Sequence, residues 1–320
     1  MNFLVSGAAA DIGQSITSIL NSVYRDASVF GCDIHVEYLA QDLYREIAIL
    51  PPASSQDYFD CLSSLIEKYA IDVFIPTSEA ELRLFAHKQS LLTEHLSCHC
   101  LMASYKAMNI GFDKLDTVNH LHNHSLPAPW AVLASDTESG APEIPCILKS
   151  RTGSGNSSVY FIDDYDKSLH LQKIFPDYIW QQYLPLSKGE YTCGVYRCLD
   201  SSTRVIVLRR RLSSGVTSFA EVVKEPDIDS LCVSIADSLE LQGSINIQLR
   251  YVDKVGPMVF EINPRFSSTV GMRHKIGFSD LIWSIEEQVF GTVLSPCTQP
   301  WPAVRMGRRY QELISHRVLN

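Results

Sequence analysis

Two stretches near the C-terminus constrain the chain most: Ser244-Ile245-Asn246-Ile247-Gln248-Leu249-Arg250, and Gly256-Pro257-Met258-Val259-Phe260-Glu261-Ile262-Asn263-Pro264-Arg265-Phe266. In the first, Ile245, Ile247 and Leu249 recur with the period of two that sends alternate side chains to one face of a strand. In the second, Val259, Glu261 and Asn263 are expected on a polar face, with Phe260 and Ile262 on an apolar one. A hairpin turning across residues 252 to 256 brings the polar faces together, so that Gln248, Glu261 and Asn263 line one wall. Glu261 supplies charge and Asn263 a neutral oxygen, a mixture that Mg²⁺ accepts beside phosphate oxygens. The same pattern also fits a half-buried edge strand ending in an Asn-Pro turn, with Glu261 in solvent.

The remainder of the chain supplies the setting. Residues 2 to 96 alternate strand and helix patterns: strands at 2 to 6, 29 to 34, 47 to 50 and 72 to 76, and helices at 12 to 23, 58 to 69 and 80 to about 96. That order predicts a small doubly wound parallel sheet, with ligand contacts favoured at the C-terminal strand ends, here Gly7 to Gly13 and Thr77 to Glu79. The turn Gly7-Ala8-Ala9-Ala10-Asp11-Ile12-Gly13 lacks the central glycine of a dinucleotide fingerprint, and Glu79 equally suits a helix-start carboxylate. A helix over 111 to 124 is stopped by Pro127 and Pro129. Strands at 190 to 199, 204 to 212, 215 to 223, 244 to 250 and 257 to 263, with helices at 228 to 239 and 280 to 289, predict a separate antiparallel α+β unit.

Between these units, Ile144 to Lys149 reads as a strand ending in a lysine, followed by Gly153-Ser154-Gly155-Asn156-Ser157-Ser158 and a second strand at Val159 to Ile162. A lysine beside a loop rich in backbone N–H and hydroxyl donors suits a phosphate clamp, although a generous hairpin turn with an exposed Lys149 gives the same pattern. It is not a P-loop, since strand-loop-strand replaces strand-loop-helix. The run Arg209-Arg210-Arg211 must split between the two faces of a strand, which makes one or two of these residues candidates for anion contacts.

Composition excludes several classes. With 320 residues, 46% of them hydrophobic and 20% charged, the chain suits an ordered protein of two or three compact units. The net charge of -9 argues against a nucleic-acid or anionic-lipid surface. Nine cysteines, an odd number lying mostly in apolar runs, suit reduced thiols in a cytoplasmic protein. Cys98, His99, Cys100 and His95 lack the spacing of a zinc site, and no Cys-His pair suggests a nucleophile. No leader-like or membrane-spanning run is expected.

Five segments then meet a known pattern: GFDKLDTVNHLHNHSLPAP at 111 to 129, PCILKSRTGSGNSSV at 145 to 159, WQQYLPLSKGEYTCGVY at 180 to 196, RRRLSSGVT at 209 to 217, and INIQLRYVDKVGPMVFEINPR at 245 to 265. Together they resemble the ATP-grasp superfamily, in the branch of the carbamoyl-phosphate synthase large subunit and related carboxylate-amine ligases. The resemblance implies an α/β and α+β architecture: a Rossmann-like pre-ATP-grasp domain at 1–97, an N-terminal subdomain with the phosphate loop at 98–180, and a C-terminal antiparallel subdomain with the metal site at 181–320. It implies ATP held by Lys114, Lys149, the loop Gly153, Ser154, Gly155, Asn156, Ser157 and Ser158, the hinge Gln181, Gln182, Tyr183 and Leu184, and Glu190 on the ribose. Mg²⁺ or Mn²⁺ falls to Gln248, Glu261 and Asn263, with Gln248 and Glu261 also counted among the nucleotide contacts. Arg265 falls at the γ-phosphate or acyl phosphate and Arg211 near the reacting carboxylate, so that Arg211, Arg265 and Lys149 carry the chemistry.

The implied reaction activates a small-molecule carboxylate as an acyl phosphate for attack by an amine. An ATP-dependent carboxylase, a formyl-phosphate-type transferase and a non-catalytic nucleotide-binding protein are the alternatives. Homodimerisation is compatible with these expectations. Gln182 and Gln248 depart from the acids that many members of the superfamily carry. The substrate wall is expected from Gly7 to Gly13, Thr77 to Glu79, Arg211 to Thr217 and Ser267 to Arg273.

Overall fold

Apolar residues on strictly alternating sides of a central strand organise the N-terminal layer. The computed structural model describes residues 1–35, 42–153, 159–213, 215–297 and 301–308. The first elements are β1 (Asn2–Ser6), α1 (Asp11–Val23), β2 (Ser28–Asp33), β3 (Ile47–Ile49), α2 (Tyr58–Lys68), β4 (Val73–Ile75), α3 (Glu79–His87), α4 (Gln89–His95) and β5 (His99–Cys100). Their strands form a parallel sheet in the order β3-β2-β1-β4-β5, the doubly wound arrangement expected. Phe3 and Val5 of β1 pack with Ile16 and Leu20 of α1 on one face, while Leu4 packs with Leu62, Ile66 and Phe85 on the other.

The single helix expected from 80 to 96 divides at Lys88, which separates α3 from α4. The helix expected over 111 to 124 is α6 (Lys114–Asn123), and a short helix that was not expected, α5 (Tyr105–Gly111), precedes it. Asp113 caps α6 by accepting from the amides of Leu115 and Asp116, both at 3.0 Å. Gly111 closes α5 against the segment after the metal-patterned strand: a Cβ there would lie 2.9 Å from Pro264 Cδ.

Next come β6 (Ala131–Leu133), β7 (Cys146–Ser150), β8 (Val159–Ile162), α7 (Tyr165–Ile174) and β9 (Tyr178–Gln182), whose strands make an antiparallel sheet ordered β6-β9-β7-β8. The chain continues through β10 (Glu190–Arg197), β11 (Thr203–Ser213), β12 (Val216–Val222), α8 (Pro226–Ser238), β13 (Gly243–Val252), β14 (Gly256–Asn263), α9 (Val270–His274), α10 (Asp280–Gln288) and β15 (Arg305–Gly307). These strands build a larger antiparallel sheet ordered β14-β13-β10-β11-β12-β15. Helices α5, α6 and α8 bury one of its faces through Met108, Leu121, Ile228 and Ile235 against Cys193, Ile247 and Leu249. Beyond β14 the chain returns to the first sheet: Phe266, Val270, Leu281 and Ile285 share a core with Phe3 and Ile16. Neither α9, β15 nor this return was expected from local pattern.

One irregularity in β14 corrects the expected faces. Gln248 pairs with Glu261, but the next residue, Leu249, pairs with Val259, so Phe260 is an extra residue in a β-bulge. Val259 therefore turns into the core with Ile247, Leu249 and Ile262, not onto the polar face. Phe260, expected on the apolar side, joins Glu261 at a cavity.

Candidate functional site

The two antiparallel sheets and the start of α6 enclose a cavity of about 450 Å³. Its wall gathers Lys114, Lys149, Gly153, Gln181, Gln182, Tyr183, Leu184, Glu190, Gln248 and Glu261, residues spread over almost half the sequence. Ile147, Val159, Phe161, Leu212 and Phe260 give the wall its apolar area, which suits the faces of a flat ring.

On the β7 side, Lys149 is 5% exposed. Its Nζ donates to the Phe260 carbonyl at 3.2 Å, and burial lowers its pKa to about 7 against the pull of Glu261. An amine held near neutrality here gains charge when an anion enters. Lys114 Nζ donates to the Gly153 carbonyl at 2.6 Å, while the Gly153 amide donates to Glu79 Oε1 at 3.0 Å. Gly153 is thus held from both sides, once by α6 and once by the N-terminal layer. Residues 154 to 158, the rest of the expected phosphate loop, lie outside the described residues.

At the hinge, Gln181 is 1% exposed and its Nε2 has no partner among the described residues. Gln182 instead turns to the chain beside it, where its Oε1 accepts from the Trp130 amide at 3.4 Å.

The large sheet contributes a row of charge. Glu190 lies between two arginines: Oε1 accepts from Arg210 Nη2 at 2.9 Å and Oε2 from Arg250 Nη2 at 3.0 Å. Arg210 Nη2 also donates to Gln248 Oε1 at 2.7 Å. Register puts Glu190 opposite both Arg210 and Arg250, and Gln248 opposite Glu261.

The remaining predicted site residues do not line this cavity. Asn263 is buried two residues beyond Glu261, opposite Asn246. Arg265 is half-buried with its Nη1 on the Phe266 carbonyl, and its Nε has no partner among the described residues. Burial lowers the Arg265 pKa, and the nearby carboxylates of Glu79 and Glu261 oppose that shift. Arg265 therefore stands between the cavity and the N-terminal layer. Arg211 is exposed on β11, its guanidinium 5.6 Å from the Phe219 ring centroid. The inward member of the arginine run is Arg210, placed there by its register opposite Glu190.

A hard cation fits only part of the predicted donor set. Glu261 offers a carboxylate at the cavity wall, and Asn263, two residues farther along β14, has a neutral oxygen but is buried and does not line the cavity, so Mg²⁺ there would draw its further ligands from phosphates. Gln248 does not offer its oxygen freely, because Arg210 occupies it. Among the described residues no group of three or more His, Cys, Asp or Glu could hold a metal.

The family model for "ATP-grasp in the biosynthetic pathway with Ter operon" matches residues 174–307. Among solved structures, the chain is similar to N5-carboxyaminoimidazole synthetase from Staphylococcus aureus complexed with ADP (TM-score 0.71, 16% identity, 92% of this chain and 78% of that one). It is also similar to L-amino acid ligase from Bacillus licheniformis (0.68, 16%, 89% and 73%). A third likeness is to the biotin carboxylase-β,γ-ATP complex from Campylobacter jejuni (0.68, 12%, 92% and 72%). No curated protein sequence matches the chain.

Proposed function

The chain is an ATP-grasp-fold protein, and from that premise we propose that it is an ADP-forming ligase that joins a small-molecule carboxylate to an amine. The observation that carries the reading is the single cavity in which Lys114, Lys149, Gly153, Gln181, Glu190 and Glu261 converge from two sheets and a helix start. Likeness to an ADP-bound synthetase and an amino-acid ligase supports the same class of chemistry. The division proposed is 1–97, 98–180 and 181–320, with the cavity between the second and third parts.

In this reading the purine ring lies between Ile147, Phe161 and Leu212, and the buried Nε2 of Gln181 donates to a ring nitrogen. Glu190 accepts two hydrogen bonds from each of its arginines, so a ribose hydroxyl binds there by sharing or displacing one of them. Lys149 and Lys114 bind phosphate oxygens. Glu261 and Asn263, together with phosphate oxygens, would hold Mg²⁺ or Mn²⁺, which would supply charge neutralisation. A carboxylate oxygen of the substrate attacks the γ-phosphorus and the bond to the ADP oxygen breaks, giving an acyl phosphate. Arg265, between the cavity and the N-terminal layer, offsets the charge that develops there. The amine nitrogen then attacks the acyl carbon, the carbon-oxygen bond to phosphate breaks, and the nitrogen loses a proton to leave an amide.

The test is release of ADP and phosphate with Mg²⁺ across a panel of carboxylates, with and without amines. Turnover that needs both substrates supports the ligase. Turnover with bicarbonate but no amine dependence would point to a carboxylase, and no turnover under any condition would defeat both.

A further inference from the structure

Arg210 and Gln248 together depart from the ligand set expected for the metal. Gln248 occupies the position at which the first metal ligand was expected, and its only ligating atom is Oε1. That oxygen accepts from Arg210 Nη2 at 2.7 Å, and the same nitrogen reaches Glu190 Oε1 at 2.9 Å. The amide orientation is forced by chemistry: turning Nε2 toward the guanidinium would set two donors against each other. A divalent ion on Oε1 would lie within a few ångströms of a guanidinium that never loses its charge. Arg210 is itself anchored, with its side chain 8% exposed and Glu190 12% exposed. Its Nη1 has no partner among the described residues, and the residue lines the cavity beside Glu261 and Lys149.

We infer that Arg210 supplies the positive charge that a cation on Gln248 would have supplied: Gln248 orients Arg210 and is not a metal ligand, and the nucleotide complex takes up one divalent ion, at Glu261 and Asn263. The role of Gln248 follows from its neutrality. Glutamate there would draw Arg210 away from Glu190, whereas glutamine accepts one hydrogen bond and leaves the guanidinium charge directed at the phosphates. The inference rests on the nucleotide reading above, and it assigns Arg210 a phosphate contact that the resemblance did not supply.

The experiment counts Mn²⁺ by electron paramagnetic resonance on the full chain saturated with a non-hydrolysable ATP analogue. One ion per chain, without exchange coupling, is expected in the wild type and in Gln248→Ala, with Mn²⁺ affinity changed by less than about twofold. Two coupled ions in the wild type, or loss of an ion or tenfold weaker Mn²⁺ binding in Gln248→Ala, would overturn the assignment. Arg210→Met is expected to weaken the triphosphate analogue tenfold or more and AMP less than threefold. Equal losses for both would reduce Arg210 to a support for Glu190 and sink its phosphate role. Failure of the wild type to bind the analogue would overturn the nucleotide reading and this inference together, whereas two ions with analogue bound would overturn this inference alone.

Discussion

Two arginine-carboxylate groups lie on the same face of the large sheet and are used in opposite ways. Around Glu190, Arg210 and Arg250 border a cavity, and the guanidinium of Arg210 keeps a nitrogen without a described partner. Farther along, Arg273 and Asp280 are fully buried, with Arg273 Nη2 donating to Asp280 Oδ2 at 2.7 Å. Arg273 Nη1 is spent on Ser267 Oγ at 3.2 Å and Thr269 Oγ1 at 3.3 Å, and Asp280 Oδ2 also accepts from Ser244 Oγ at 2.6 Å. The sealed group ties the segment after β14 to the sheet. The open group keeps hydrogen-bonding capacity for something that arrives from outside. Burying a charge pair commits it to the fold, whereas leaving it at a cavity wall preserves it for a ligand.

The comparison breaks most visibly at the sealed pair. Asp280→Ala strands a buried guanidinium and should cost about 3–5 kcal/mol of stability, read as a lower urea midpoint. The opposite signature is expected at the cavity: on the proposed function, Glu261→Gln should lower turnover about 10²–10³-fold by removing charge from the proposed metal position. The same variant should stay within about 1 kcal/mol of wild-type stability. Full activity there would remove Glu261 from the chemistry. Gly194→Ala sharpens the contrast, because its Cβ would meet Arg273 Cδ and Nη1 at 2.7 Å, in a place where the guanidinium has no room to yield. A loss of about 1–3 kcal/mol is expected, with nucleotide affinity unchanged in the folded fraction.

The smallest effect concerns pH. With its pKa lowered to about 7, Lys149 is half-charged in the empty site near neutrality. A bound phosphate favours the ammonium, so binding takes up a proton once the pH exceeds that value. Affinity should therefore weaken as pH rises above 7, by at most about tenfold per unit, or ~1.4 kcal/mol. Calorimetry in buffers of different ionisation enthalpy reads the proton directly, and Lys149→Met should flatten the profile.

Much of this was legible along the chain. Period-two and helical patterning located the parallel sheet and the antiparallel strands, because those elements bury one face each. Lys149 and Glu261 stood out by pattern, one near the end of a strand beside a glycine-rich loop and the other on the polar side of an alternating strand, whereas Lys114 and Glu190 were marked only by the family resemblance. What escaped depends on distant partners. The end of α5 at Gly111 answers to Pro264, the return of residues 266 to 285 answers to the first sheet, and no local period contains either. In Arg209-Arg210-Arg211 the choice of the inward residue rests on register against Glu190, which three identical side chains cannot disclose.

The bulge at Phe260 has a consequence for how the hairpin tolerates change. Side chains in a strand obey a parity rule, and the extra residue resets it between Val259 and Glu261. Deleting Phe260 would remove the bulge and leave Val259 in the core and Glu261 at the cavity, whereas deleting a residue elsewhere in β14 would send the side chains beyond it to the opposite side. Substitutions that keep size and polarity leave the parity alone. The hairpin is thus governed by length more strictly than by identity, and a lineage can vary its letters far more freely than their number.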